Sequence, residues 1–258
     1  MTRADQRSVA DRPARIAPTV TWIVKDGQVR TESASPLLLE EAISAARPYR
    51  QGVQYQNRLN RHSRHFMATQ KAHVWCESAL EADALLTLEF EGRIARIAAQ
   101  PMLIEFSDGR KHIPDFFAEL KNGDQIVYDV KPADRMAGGV NEQFELTAVV
   151  CSQIGWRHAV LNETPVAKLR NLQLLRAARH RQYHPPPHDL ERLRDAFVDG
   201  RCFQDGATMV NLRHPYLAAA HVRHLIWHHH LSADLDVPLS TETFLRWIRK
   251  ESQCDCGA

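Results

Sequence analysis

Apolar positions recur along this chain with two periods. Over residues 77–90 they fall at Leu80, Ala84, Leu85 and Leu88, one stripe at helical spacing, and Gly92 supplies a stop. The same spacing sets Glu77 and Glu81 inside the stripe rather than opposite it. A carboxylate aimed at a core is costly unless it is paired or metal-bound, so this helix carries the first mark of a site. Shorter runs at 19–24, 102–106, 112–120, 125–130 and 156–161 read as strands. Asp108-Gly109 and Asn122-Gly123 are hairpin signals, and they predict an antiparallel meander from the middle three runs. Helices are expected over 37–46, 141–154 and 166–182. The order α-β-β-β-α-β, with its last strand returning beside the meander, makes an α/β core of mixed sheet flanked by helices.

The run His184-Pro185-Pro186-Pro187-His188 reads as a linker, because consecutive prolines hold an extended chain. Beyond it, helices at 189–198, 216–230 and 241–250 surround an alternating stretch at 231–240, the pattern of a small winged-helix-like unit. The expected organisation is an extension over 1–44, a first domain over 45–183 and a C-terminal domain over 188–251.

Composition narrows the class. The 258 residues, 44% hydrophobic and 25% charged, fit a globular protein with a sizeable core. No run approaches the ~18 apolar residues of a membrane span, and the N-terminus leads into no apolar signal segment. Five scattered cysteines suit a reducing cytoplasm rather than a disulfide scaffold. The net charge of +2 hides one lopsided segment. Residues 45–73 contain no acid but hold Arg47, Arg50, Arg58, Arg61, Arg64 and Lys71, interleaved with Tyr49, Tyr55 and Phe66. Cations so placed can contact phosphates and release counterions. The basic helix at 166–182 offers more of them.

The chemistry gathers around residue 122. Asp115, in Ile113-Pro114-Asp115-Phe116-Phe117, and Asp129, in Tyr128-Asp129-Val130-Lys131, lie symmetrically about that expected turn, so an antiparallel hairpin sets them nearly opposite each other. Lys131 shares a face with Asp129. Two carboxylates, a lysine and a carboxylate from the upstream helix suit metal-assisted phosphodiester hydrolysis, with Mg²⁺ on hard oxygen ligands and an ammonium near the developing charge.

These residues resemble the PD-(D/E)xK nuclease superfamily, and within it the TnsA-type endonuclease subunit of heteromeric cut-and-paste transposases. The likeness runs through Glu77-Ser78-Ala79-Leu80-Glu81, Gln100-Pro101, Ile113-Pro114-Asp115-Phe116 and Asp129-Val130-Lys131-Pro132, and covers about residues 45–180. It implies a restriction-endonuclease-like core. Glu81, Asp115 and Asp129 would be metal ligands for Mg²⁺ (Mn²⁺ substituting), Lys131 the catalytic lysine, and Gln100 a supporting residue. Glu77 is the alternative to Glu81, or a charge at the helix N-terminus. Arg58, Arg61, Arg64 and Lys71 would contact double-stranded DNA at transposon ends, where the subunit cuts the non-transferred strand. The resemblance further implies a bacterial cytoplasmic protein, a transposase partner of RNase H-like fold, and an ATPase regulator bound through the C-terminal domain. A nuclease of restriction, repair or phage defence, and a non-catalytic DNA-binding scaffold, are the competing expectations.

Other motifs weigh less. His221, His224 and His228 share a helix face, which reads as an exposed amphipathic helix with incidental histidines. A Walker-type loop and a Gly-x-Ser-x-Gly elbow are both absent from the sequence, and Cys76 and Cys151 lack a paired-histidine signature.

Overall fold

A computed structural model describes residues 17–50, 63–136, 138–210 and 214–249. It opens with the hairpin β1 (Thr19–Ile23) and β2 (Val29–Ser33). In place of the expected helix over 37–46 stand two 3-10 turns, Pro36–Glu40 and Ile43–Ala45, because Glu41 and Ala42 leave helical dihedrals. The basic segment contains a second hairpin, β3 (Ser63–Met67) and β4 (Ala72–Cys76), with Lys71 at a φ of 51° in its turn. Helix α1 (Ala79–Glu91) is capped by Ser78 and ends at Gly92, whose φ of 72° is the left-handed stop that glycine adopts at little cost. Its Leu85 is fully buried, a gain of roughly 1.5–3 kcal/mol.

The chain continues through β5 (Ile94–Ala99), β6 (Met102–Glu105), β7 (Lys111–His112), β8 (Phe116–Leu120), β9 (Gln125–Val130), α2 (Gly139–Ile154), β10 (Arg157–Leu161) and α3 (Val166–Leu175). The main mixed sheet runs β10-β9-β8-β5, with β9 and β10 parallel and the other pairs antiparallel. Its first antiparallel strand is therefore β5, not the run at 102–106. That run, as β6, pairs with β1 and β7 in a second sheet ordered β2-β1-β6-β7. The expected strand at 112–120 is divided between the two sheets, and Pro114, which has no N–H to give a ladder, lies at the break. Without β6 and β7, the order α1-β5-β8-β9-α2-β10 is α-β-β-β-α-β.

Alternation along β8 and β9 fixes their two faces. Phe116, Ala118, Ile126 and Tyr128 pack with Leu85 and Leu88 of α1. Phe117 and Val127 pack with Val150, Cys151 and Ile154 of α2. The turn between the strands is centred as expected, with Phe116 opposite Tyr128.

The helix expected over 166–182 stops at Leu175 and continues as 3-10 turns at Arg176–Arg179 and Arg181–Tyr183. Pro187 opens α4 (Pro187–Phe197), followed by β11 (Arg201–Cys202), α5 (Phe203–Val210) and α6 (Pro215–Trp227). The stretch expected as helix 241–250 instead contributes β13 (Phe244–Trp247), which pairs with both β11 and β12 (Leu231–Ser232). Leu86 of α1 and Leu172 and Leu175 of α3 share one core with Leu193, Phe197, Val222 and Leu225. No described helix is long and apolar enough to cross a membrane.

Candidate active site

The start of α1 is built around Glu81. The Ser78 hydroxyl accepts from the Glu81 amide at 3.1 Å and donates to Glu81 Oε1 at 2.8 Å. The Glu77 amide donates to Glu81 Oε2 at 2.7 Å. This is close to a capping box, in which the helix start satisfies its own orphan donors. Burial pushes the Glu81 carboxyl above its ordinary range, the two donors offset part of that, and the charge of Glu77 adds to it. Glu77 itself pairs with Arg50 at 2.8 Å. Of the two candidates, Glu81 is the buried one.

Asp115 stands at the mouth of β8. Its Oδ2 accepts from the Val130 amide at 2.7 Å, and its carbonyl accepts from the Gln100 amide at 2.8 Å. Gln100, at a φ of 46°, is buried, and its own carbonyl accepts from the Tyr49 amide. Among the described residues the Gln100 Oε1 has no partner. Gln100 thus supports Asp115 through the main chain. Burial lifts the Asp115 carboxyl to about 7, and the charges of Glu81, Asp129 and Glu77 push the same way. Four acidic side chains therefore share one end of the sheet.

Asp129 is 2% exposed and occupies the position after Tyr128, one step beyond the last β8–β9 pair. His112 Nε2 meets its Oδ1 and His158 Nε2 meets its Oδ2, each at 2.8 Å. Gln143 of α2 closes on Nδ1 of His112. Burial alone would raise this carboxyl, but the two imidazole donors hold it below the ordinary range. This clamp did not figure in the sequence reading. His112 could have been suspected from its place just before Ile113-Pro114-Asp115. His158 reaches Asp129 only through the parallel register of β9 and β10, which no local pattern encodes.

Lys131 follows two residues after Asp129 and is half-buried. Its amide donates to the Leu161 carbonyl at 2.9 Å and its carbonyl accepts from Asn162 at 2.8 Å. Among the described residues its ammonium makes no hydrogen bond or ion pair. Of the expected DNA contacts, Arg64 and Lys71 are exposed on the β3–β4 hairpin. Arg58 and Arg61 lie outside the described residues. Within the basic segment at 166–182, Arg170, Arg176 and Arg181 are exposed, but Arg179 is not available to phosphate. It is buried against Glu89 at 2.7 Å and donates to the Phe66 carbonyl at 3.1 Å.

Among the described residues no three His, Cys, Asp or Glu side chains form a ready-made metal cage. The donor chemistry still fits a hard divalent ion. Mg²⁺ needs only one or two carboxylates beside water and phosphate, and an ionised carboxylate offers about four lone-pair sites. The hydrogen bonds at Glu81, Asp115 and Asp129 leave such sites on each. The chain matches no protein-family model, and no curated protein matches it.

Proposed function

We propose that this chain is a Mg²⁺-dependent DNA endonuclease of the PD-(D/E)xK type, the subunit of a heteromeric cut-and-paste transposase that cleaves the non-transferred strand. The observation that carries the reading is Asp115, half-buried and crowded by the charges of Glu81, Asp129 and Glu77 at the sheet end. Such a group is unfavourable for folding alone and favourable for holding a cation. The α-β-β-β-α-β order of the main sheet supports a restriction-endonuclease-like core. The three helices and small three-stranded sheet of the C-terminal part support a winged-helix reading. A double-stranded DNA substrate is supported by Arg64 and Lys71.

Asp115, Asp129 and Glu81 would hold the ion. The chemistry it supplies is polarisation of the scissile phosphate and a lowered pKa for an attacking water. Asp115 is oriented by the Val130 amide. His112 and His158 keep Asp129 ionised and fixed. In this reading the Lys131 ammonium stabilises negative charge developing on the phosphate. A transposase of RNase H-like fold and an ATPase regulator at the C-terminal part are the partners this reading requires.

The test is nicking of supercoiled and element-end DNA with Mg²⁺ or Mn²⁺, alone and with a co-encoded transposase. Asp115→Ala is expected to abolish cleavage while DNA binding persists. Cleavage at the unaltered rate in that variant removes Asp115 from the mechanism.

A further inference from the structure

Six side chains, Arg179, Arg181, His184, His224, His228 and His230, line a cleft of about 410 Å³. It lies near the C-terminal end of α1, where His229 Nε2 donates to the Phe90 carbonyl at 2.6 Å. Glu81 is near the other end of the same helix, about 15 Å away at 1.5 Å per residue. The cleft is therefore separate from the carboxylate site and does not depend on the nuclease reading.

The imidazoles of α6 are held in defined tautomers. His224 Nδ1 meets the Ala178 carbonyl at 2.7 Å, and His228 Nε2 meets the Arg179 carbonyl at 3.1 Å. A carbonyl only accepts, so each of those nitrogens carries the proton. The other nitrogen of each neutral ring, Nε2 of His224 and Nδ1 of His228, is then a lone pair. Neither makes a hydrogen bond among the described residues. The two rings are 4.3 Å apart, and the exposed His184 ring is 5.4 Å from that of His224. His221, expected with His224 on an exposed helix face, is 4% exposed like His224, donates from Nδ1 to the Tyr183 carbonyl and lies outside the cleft lining.

A ring nitrogen pinned to a carbonyl while its partner faces a cleft is the arrangement that orients histidine ligands on metals. Neutral imidazole suits zinc, copper and nickel rather than magnesium. Arg179 is neutralised by Glu89 at 2.7 Å, and the lone pairs of neutral rings repel phosphate oxygens. Arg181 also lines the cleft and has no ion pair among the described residues, so phosphate is the competing ligand.

We infer that His224 Nε2 and His228 Nδ1, closed by rotation of the His184 side chain, form a site for a first-row transition-metal ion such as Zn²⁺. As they stand, no three such side chains among the described residues enclose an ion; α6 offers two ring nitrogens, and the exposed His184 swings in as the third, with water completing a tetrahedral set.

The test is calorimetric titration of the full chain with ZnCl₂, in a Cys254→Ser, Cys256→Ser background that removes the terminal thiols. One Zn²⁺ per chain is expected. His228→Gln and His184→Gln, both at exposed positions that leave the fold intact, should each weaken binding about tenfold or more. His224→Gln should do the same, with circular dichroism to check that the buried ring is not needed for folding. Excess Mg²⁺ in the titration keeps the carboxylate site out of the count, and it should leave the Zn²⁺ affinity unchanged. Affinity retained in His228→Gln overturns the proposal. So does thermal stabilisation by inorganic phosphate without Zn²⁺ uptake.

Discussion

Burial and three neighbouring carboxylates all oppose ionisation of Asp115. Its pKa of about 7 in the folded chain stands above the ordinary 3.8, so the folded state holds this proton more tightly than the unfolded one. The contribution to stability is full below about 3.8 and is lost as pH rises through about 7. Asp115→Asn removes the charge but keeps an acceptor for the Val130 amide. The variant should match the unaltered chain near pH 3.5 and exceed it at pH 8, by at most about 4 kcal/mol for the full shift. Urea denaturation without divalent ions at the two pH values measures this. An equal gain at both would mean that the effect is not one of ionisation. The 115–129 pairing was legible in the sequence, because Asn122-Gly123 announces the turn and the numbering does the rest. Asp129's imidazole partners were not, since both arrive from outside the hairpin.

At the scale of elements, one buried cluster joins three of them. Glu89 of α1 meets His65 of β3 at 2.8 Å and Arg179 at 2.7 Å, while its other oxygen accepts from the Ala68 amide at 2.9 Å. Removing one partner of a buried ion pair strands the other charge, at a cost of about 3–5 kcal/mol. Glu89→Ala should lower stability by that order in denaturant unfolding. Proteolysis of the β3–β4 hairpin should accelerate along with it. A change confined to the hairpin, with global stability intact, would show that the cluster staples rather than supports. α1 was legible from its run of apolar residues and its Gly92 stop, but not its two buried faces, Leu85 and Leu88 towards the sheet and Leu86 towards the C-terminal core. β5 was missed because Ile94-Ala-Arg-Ile-Ala-Ala is short and follows directly on a helix stop. β13 was read as a helix because Phe244, Leu245 and Trp247 fit either period over so few residues.

At the scale of the molecule, the proline run marks a change of composition without a gap in the packing. Pro185 is buried, and Leu86, Leu172 and Leu175 share a core with the C-terminal helices. Disturbing that core should therefore be felt by the whole chain. Gly206 of α5 is the place to do it, since a Cβ there would come within 2.0 Å of Cζ on the fully buried Phe197 ring. Gly206→Ala should cost about 1–3 kcal/mol as overpacking, read as one cooperative transition that melts both parts together. Two separate transitions would mean that the parts unfold independently. Sequence pattern could not show this continuity, because nothing local says which faces of α1 and α3 meet α4, α5 and α6.

The parallel pairing of β9 with β10 has a consequence for synthesis. His158 follows Asp129 by 29 residues, and it comes alongside only after α2 has crossed back over the sheet. A nascent chain halted before Arg157, where β10 begins, holds its Asp129 carboxylate by His112 alone. The second restraint on that acidic group arrives with β10, one of the two edge strands of the sheet, so carboxylate and sheet edge are completed in one step of biogenesis.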